Sequence, residues 1–371
     1  MIGQKFVEIS EQAGINHAFR VDLANFGGGA CIIDYDNDGW EDIYMTGGNE
    51  PDVFYRNNGD GTFTNIIDQA GFESTIPWHT QGVVAADVNR DGFKDLLITT
   101  LYDKNRDLTP NLLFLNNGDG TFRDVTREYG LWDYASNSSG ATFGDVNADG
   151  FPDLYVSNYI AGSPRGVSIF NERTITENYS SAEDFFFINA GGKAFQEVSD
   201  LYGWDHDGFG FQGDFTDWDN DGDLDLMIAN DFGFRAQPNI ALRNNYPEKS
   251  MTYRGNSLRL NYGMNGMGIA KGDINNDGYM DYYVTNIGAS LFVQSEEGKS
   301  FVDYGVQTGL GKDFIDHPDY RGVPVSWGAV FFDLSIHHHD SFSCLSTTFP
   351  NFHAVQHALH ESLFDTCDWP F

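Results

Sequence analysis

A nine-residue acidic pattern, DxDxDGxxD with Asn allowed at the third place, recurs five times along the chain. The copies are DYDNDGWED (34–42), DVNRDGFKD (87–95), DVNADGFPD (145–153), DWDNDGDLD (217–225) and DINNDGYMD (273–281). Their starts lie 53 to 72 residues apart, a period that suits one small antiparallel sheet per repeat. The surroundings repeat too. A glycine stands five residues before the first Asp at Gly29, Gly82, Gly140 and Gly268, with Gly213 one place later, and Gly328 precedes Asp333 by the same interval. After each loop comes an apolar or alternating run, DIYMT, DLLIT, DLYVS, DLMIA or DYYVT. Further on lie RNNGDGTF (56–63) and LNNGDGTF (115–122), echoed by INAGGKAF (188–195) and QSEEGKSF (294–301). Asn-Gly and Asp-Gly between apolar runs are strong hairpin signals. Each repeat therefore reads as four strands: a first strand, the acidic loop, a second strand, and an outer hairpin.

Four-stranded sheets of this size bury both faces by stacking around an axis, which also protects their edges. The expected fold is an all-β β-propeller of four-stranded antiparallel blades, with five complete repeats and a partial sixth at WGAVFFDL (327–334). Independent hairpins would leave the apolar strands wet, and a solenoid would need shorter, more uniform repeats. The 42 Gly against 11 Pro, with 15% aromatic residues, agree with a folded chain rich in strands and tight turns.

Oxygens at alternating loop positions can wrap one hard cation, with side chains at the first, third and fifth places, a backbone carbonyl at the seventh and a carboxylate at the ninth. Oxygen-only ligation points to Ca²⁺ rather than Mg²⁺, which keeps its waters, or zinc, which takes nitrogen and sulfur. An EF-hand is excluded, because the twelfth place, where it needs a bidentate Glu, holds Met45, Ile98, Val156, Ile228 and Val284. A solvated Asp/Gly turn would account for one copy but not for five with the same oxygen positions. With most ligands supplied by the protein, the ions are expected to be structural, about five per chain. The formal charge of −34, from 55 acidic and 21 basic residues, disfavours nucleic acid and favours cations or cationic partners.

DxDxDGxxD loops after Gly-rich first strands, followed by NNGDGTF hairpins, resemble the FG-GAP or VCBS repeats of integrin-alpha-type propellers. The pairing of GGGACIIDYDNDG with YRNNGDGTF is similar to the cartilage acidic protein family, whose members often carry an ASPIC and UnbV segment after the propeller. The resemblance implies side-chain calcium ligands at Asp34, Asp36, Asp38 and Asp42; Asp87, Asn89, Asp91 and Asp95; Asp145, Asn147, Asp149 and Asp153; Asp217, Asp219, Asp221 and Asp225; and Asp273, Asn275, Asp277 and Asp281. Main-chain carbonyls would come from Trp40, Phe93, Phe151, Asp223 and Tyr279. It also implies an extracellular or cell-surface protein acting in adhesion. Such propellers usually close with seven blades, so an open or incomplete ring is expected. Residues 1–334 form the propeller on this reading. Residues 335–371 form a divergent tail without an acidic loop, as a shifted reading frame or truncated gene would produce. KFVEISEQAGI (5–15) reads as an outer strand and exit turn.

Strand alternation sorts the connections. The acidic loops and NNGDGTF turns share one face, and the links between second and third strands and between blades share the other. That opposite face collects Trp78, His79, Tyr102, Tyr159, Asp205, His206 and Phe232, where aromatics beside polar groups suit a protein or polysaccharide ligand. No GxSxG, P-loop or HExxH is present, so the expectation is a non-enzymatic binding module. A lyase-like polysaccharide enzyme on the same scaffold and a truncated gene product without activity are the alternatives. HHHD (337–340) and His353, His357 and His360 are weak transition-metal candidates, and Asn137 and Asn178 head glycosylation sequons. Three cysteines are too few for a disulfide framework, and Cys31 reads as a buried thiol. No apolar run reaches the length of a membrane span, and MIGQKFVEIS lacks the character of a signal peptide, so either the protein is cytosolic or the chain begins after its leader. Oligomeric state is not legible.

Overall fold

The computed structural model describes residues 7–21, 27–101, 109–162, 176–203 and 208–311, followed by strands at 315–317, 320–322, 325–333, 342–349 and 363–366. The fold is all-β, and five sheets of four antiparallel strands follow one another along the chain. The first blade is β1 (Ala30–Ile33), β2 (Asp42–Met45), β3 (Val53–Asn57) and β4 (Phe63–Asn65). The second is β5 (His79–Ala86), β6 (Asp95–Leu101), β7 (Leu112–Asn116) and β8 (Phe122–Asp124), and the third is β9 (Ser138–Gly144), β10 (Asp153–Asn158), β11 (Phe185–Asn189) and β12 (Phe195–Glu197). The fourth is β13 (Phe209–Thr216), β14 (Asp225–Asp231), β15 (Ile240–Asn244) and β16 (Met251–Tyr253). The fifth is β17 (Ile269–Gly272), β18 (Asp281–Val284), β19 (Leu291–Ser295) and β20 (Phe301–Asp303).

After β21 (Ile315–His317) and β22 (Tyr320–Gly322) comes a three-stranded sixth sheet of β23 (Val325–Asp333), β24 (Phe342–Phe349) and β25 (Leu363–Thr366). Its last two strands lie beyond residue 335. The exit turn expected near residue 10 is a single helical turn at Ser10–Ala13, and similar turns follow β4, β16 and β20 at Ile67–Ala70, Gly255–Leu258 and Gly305–Thr308. The strand expected just before Ser10 falls largely outside the described residues.

Two compact units divide the chain, one of residues 8–215 with 245–251, the other of residues 216–244 with those from 252 onward. In the first, blades stack through alternate residues of their second strands. Leu96 and Ile98 of β6 pack with Tyr44, Phe54, Phe72 and Phe114, while Leu97, from the same strand, joins Leu113, Leu154, Val156 and Phe187 on the other side. With both faces covered, every residue of β6 is buried, as the two-residue period demands of a strand in mid-stack. β2 instead alternates between buried and half-buried positions. The second unit repeats the scheme. Tyr282 and Val284 pack with Met227 and Ala241, and Tyr283 packs with Phe292 and Phe331. Each such buried Leu, Val or Phe contributes about 1.5–3 kcal/mol.

Gly29, Gly82, Gly140 and Gly268 let neighbouring first strands touch, while Gly213 makes room for the Tyr155 ring. The Gly29 N–H donates to the Gln81 carbonyl at 2.7 Å, and a Cβ on Gly140 would stand 2.6 Å from the Phe211 oxygen. Threonines ending the second strands bolt the same junctions. Thr46 Oγ1 donates to the Gln81 carbonyl at 2.8 Å, and Thr285 Oγ1 to that of Trp327 at 2.9 Å. Gly140→Ala should therefore force two strands apart and cost about 1–3 kcal/mol, read as a lowered denaturant midpoint; an unchanged midpoint would contradict this packing.

Candidate metal centres

Each acidic loop is a hairpin turn whose backbone amides converge on its own carboxylates. The first-place Asp accepts the fifth-place N–H on Oδ1 and the Gly N–H on Oδ2. The distances are 3.1 and 3.0 Å at Asp34, 3.1 and 2.9 Å at Asp87, 3.0 and 2.8 Å at Asp145, 3.2 and 3.0 Å at Asp217, and 3.0 and 2.8 Å at Asp273. The fifth-place Asp accepts the seventh-place N–H, from Trp40, Phe93, Phe151, Asp223 and Tyr279 in turn. This tight reversal needs φ near +90° at the sixth place, where Gly39, Gly92, Gly150, Gly222 and Gly278 have φ of 88° to 95°. Left-handed φ also occurs at the fourth place, in Asn37, Arg90, Ala148, Asn220 and Asn276. Asn at three of the five was a readable cue for it.

The ninth-place Asp is buried and ties the loop to its sheet. Oδ1 of Asp42, Asp95, Asp153, Asp225 and Asp281 accepts a third-strand N–H, from Asn57, Asn116, Asn189, Asn244 and Ser295, at 2.8–2.9 Å. In four loops Oδ2 accepts the second-place N–H, from Tyr35, Val88, Val146 and Ile274. In the fourth loop Asp225 Oδ2 is buried without a hydrogen bond, as are Asp219 Oδ1 and Asp223 Oδ1, and in the first loop Asp36 Oδ1. Carboxylate oxygens of Asp34, Asp36 and Asp38, and of Asp217, Asp219 and Asp225, lie within 4.8 Å of one another.

Burial pushes up the pKa of each ninth-place carboxyl, to about 6 at Asp42 and Asp281, about 7 at Asp95 and Asp153, and about 8 at Asp225, despite backbone hydrogen bonds that pull them down. Buried anionic oxygens without donors are costly unless a cation meets them. The donor set is oxygen-only, so the residues fit a hard divalent ion such as Ca²⁺.

The repeat profile described as FG-GAP-like matches residues 34–98, 100–156 and 217–284, about half of the chain. The chain belongs to the FG-GAP-like repeat family. Cartilage acidic protein 1 of Xenopus tropicalis is 27% identical over 207 residues, 55% of this chain and 28% of that protein, and the Homo sapiens protein of the same name matches to the same extent. The alignment thus spans little more than a quarter of the length of these relatives. Among solved structures, an Agrocybe aegerita lectin, described as recognising non-reducing terminal N-acetylglucosamine, is 18% identical, with a TM-score of 0.45 over 80% of this chain and 67% of that one.

The FG-GAP-like loops contact one another within each unit. Asn37 Nδ2 of the first loop donates to the Gly92 carbonyl of the second at 3.1 Å, and Asn220 Nδ2 of the fourth to that of Gly278 in the fifth at 2.8 Å. Arg90 of the second loop stacks on Phe151 of the third, 5.4 Å from the ring centroid. The outer hairpins reach the same face, where Asn116 Nδ2 donates to the Tyr35 carbonyl and Asn189 Nδ2 to that of Val88, both at 2.8 Å. Arg56 and Arg243, which sequence reasoning missed, close on the first and fourth loops. The cue was an Arg before NN in these third strands, where the others carry Leu115, Ile188 and Gln294.

The opposite-face candidates divide. Trp78 is half-buried and packs edge-on against Trp132, with centroids 6.0 Å apart, and His79 opens β5, also half-buried. Tyr159 and Phe232 are 1% exposed, which corrects their reading as surface contacts. Tyr159 instead packs on Phe209 and Phe211 inside the first unit. Tyr102, Asp205 and His206 lie outside the described residues, as do the histidines at 337–339 and at 353, 357 and 360. The sequon at Asn137 is corrected too, because its carboxamide is buried and donates to the Ile160 and Gly162 carbonyls at 2.8 Å each. Cys31 is half-buried, and burial pushes its thiol up to about 11.

The ninth-place carboxyls set a pH dependence for the ion-free protein. Their folded values exceed the ordinary 3.9 or so of an unfolded Asp, so protonation favours the folded state. That contribution is complete below about pH 4 and is lost as pH rises through 6 to 8. Calorimetry in EDTA should show a lower melting temperature at about pH 8 than at about pH 5.5. Equal melting at both would mean these carboxyls are not buried as described.

Proposed function

We propose that this chain is a calcium-stabilised β-propeller binding module of extracellular or cell-surface type, non-enzymatic, with a protein or polysaccharide ligand on the face opposite the acidic loops. The observation that carries the calcium half is the set of buried carboxylate oxygens without donors, Asp36 Oδ1 in the first loop and Asp219 Oδ1 and Asp225 Oδ2 in the fourth. A bound cation would supply the positive partner that these buried oxygens lack. The protein's own part is to hold the carboxylates in place through the backbone amides of the turn. At ten times its dissociation constant an ion adds about 1.4 kcal/mol per site, so five independent sites would add about 7 kcal/mol, comparable to the whole stability of a domain.

A cavity of about 80 Å³ supports the ligand half, at residues 49–52 of the β2–β3 link and Thr75, Ile76, Trp78 and Thr80 of the connection between the first two blades. It brings Trp78 and Glu50 together, groups suited to one polar side chain or a single sugar substituent, its volume being smaller than that of a pocket enclosing a whole small molecule. Similarity to cartilage acidic protein 1 supports the extracellular assignment, and no helix among the described residues is long and apolar enough to cross a membrane.

Millimolar Ca²⁺ after EDTA treatment should raise the melting temperature by about 2–4 °C for each kcal/mol gained, and so by more than about 10 °C if all five sites fill, and an unshifted melt would overturn the calcium assignment. Incubated with a panel of acidic and neutral glycans, the protein should retain ligand and release no new reducing or unsaturated ends. Appearance of such ends would move the reading to a lyase-like enzyme.

A further inference from the structure

The five loops fall into two chemical classes, and the difference extends beyond the loops themselves. In the second, third and fifth, the third place is Asn89, Asn147 and Asn275. The Asn89 amide donates to Asp91 Oδ2 at 2.8 Å and that of Asn275 to Asp277 Oδ2 at 2.9 Å, so in these two loops the residue caps the fifth-place carboxylate from inside, while Asn147 accepts the Asp149 N–H on Oδ1 without making that cap. In the first and fourth loops the third place is Asp36 and Asp219, which have no amide to donate and set a second anion beside the fifth-place one.

In those two loops alone an arginine arrives from the third strand. Arg56 Nη2 lies 3.0 Å from Asp36 Oδ2 and 3.1 Å from Asp38 Oδ2. Arg243 Nε lies 3.0 Å from Asp219 Oδ2, and its Nη2 2.5 Å from Asp221 Oδ2. Each guanidinium thus takes one oxygen of the third- and fifth-place carboxylates, while Oδ1 of Asp36 and of Asp219 stays buried and without a donor. Leu115, Ile188 and Gln294 occupy the same strand position above the three Asn loops.

We propose that Arg56 and Arg243 are built-in cations that replace the missing amide: each clasps the third- and fifth-place carboxylates when no metal is bound, making the first and fourth loops weaker, exchangeable calcium sites than the three Asn loops. The clasp stands on one hydrogen bond to the fifth-place carboxylate and one ion pair to the third-place carboxylate at each arginine, and the ranking of sites rests on the calcium reading above. An exposed ion pair in isolation contributes little, but here one guanidinium bridges two carboxylates whose mutual repulsion it relieves. By linkage, whatever the arginine contributes to the ion-free loop is subtracted from the gain on ion binding. Its positive charge also opposes the incoming ion directly.

Arg56→Met keeps the apolar stem and removes charge and donors. In EDTA it should melt about 2–4 °C below the parent, whereas in millimolar Ca²⁺ the two should melt together. Competitive titration against a chelating dye should show one ion bound about tenfold more tightly, the size expected for loss of a screened neighbouring charge. The double variant Asp36→Asn/Arg56→Met recreates an Asn loop and should recover the parent melt in EDTA, and Arg56→Lys should fall between. An arginine that merely packs would lower melting equally with and without Ca²⁺ and leave the double variant no better than Arg56→Met, and either result overturns the proposal. If Arg56→Met fails to fold, its recovery by Asp36→Asn decides the question. A parent whose melt ignores Ca²⁺ would refute the calcium reading and the ranking, while the Asp36–Arg56 coupling measured in EDTA would still decide the clasp.

Discussion

Like charge crowded into a turn is tolerable only when donors or cations meet its carboxylates, and the architecture follows from how those partners are supplied. Main-chain amides of the turn itself meet both oxygens of the first-place side chain and one oxygen of the fifth-place one. The buried ninth-place side chain is met by the third strand, as in Asp95 with the Asn116 N–H. Because Asn116 also donates its carboxamide to the Tyr35 carbonyl of the preceding loop, the electrostatics of one turn is linked to the pairing of its sheet and to the stacking of the next. Asn189 repeats the link one blade later. Loop charge and blade packing are thus one cooperative problem rather than two.

The opposite end of the blades uses a different polar device. Tyr44 and Tyr155 bury their hydroxyls on Asp52 and Asp184 at 2.7 Å each. Thr80 and the Gly47 N–H complete the Asp52 site, and the Asn158 N–H that of Asp184. Burial pushes the Asp184 carboxyl up to about 7 and raises that of Asp52. Where the second strand carries Leu97 or Met227 in place of tyrosine, the third strand is entered through Asn111 or Asn239, whose Oδ1 accepts the Thr100 or Asn230 N–H. In these four blades the pairing has a physical reason, since a buried carboxylate needs more donors than a carboxamide oxygen, whereas the fifth combines Tyr283 with Ser290. Of these groups, Asp52 and Thr80 line the Trp78 cavity.

Much of this was legible along the chain because it is local. The repeat period, the four strands per repeat, the Gly-led reversal and the shared face of loops and NNGDGTF turns depend on residues close in sequence, whose turn chemistry and two-residue alternation leave few choices. What a side chain faces once blades stack was not legible. Tyr159 and Phe232 stand in connections yet are buried, and Asn137 heads a sequon yet spends its amide on two carbonyls. The role of Arg56 was visible only as an unexplained letter before NN, because its partners lie 18 and 20 residues earlier in the chain.

By itself, then, the order of residues determined the blade and the place of each carboxylate within its turn, because a DxDxDGxxD hairpin closes through its own amides. Tertiary structure decided which oxygens are left without donors, which turns receive an arginine and which aromatics meet water. Those outcomes turn on neighbours supplied by other strands and blades, and burial by distant chain has no counterpart in local periodicity.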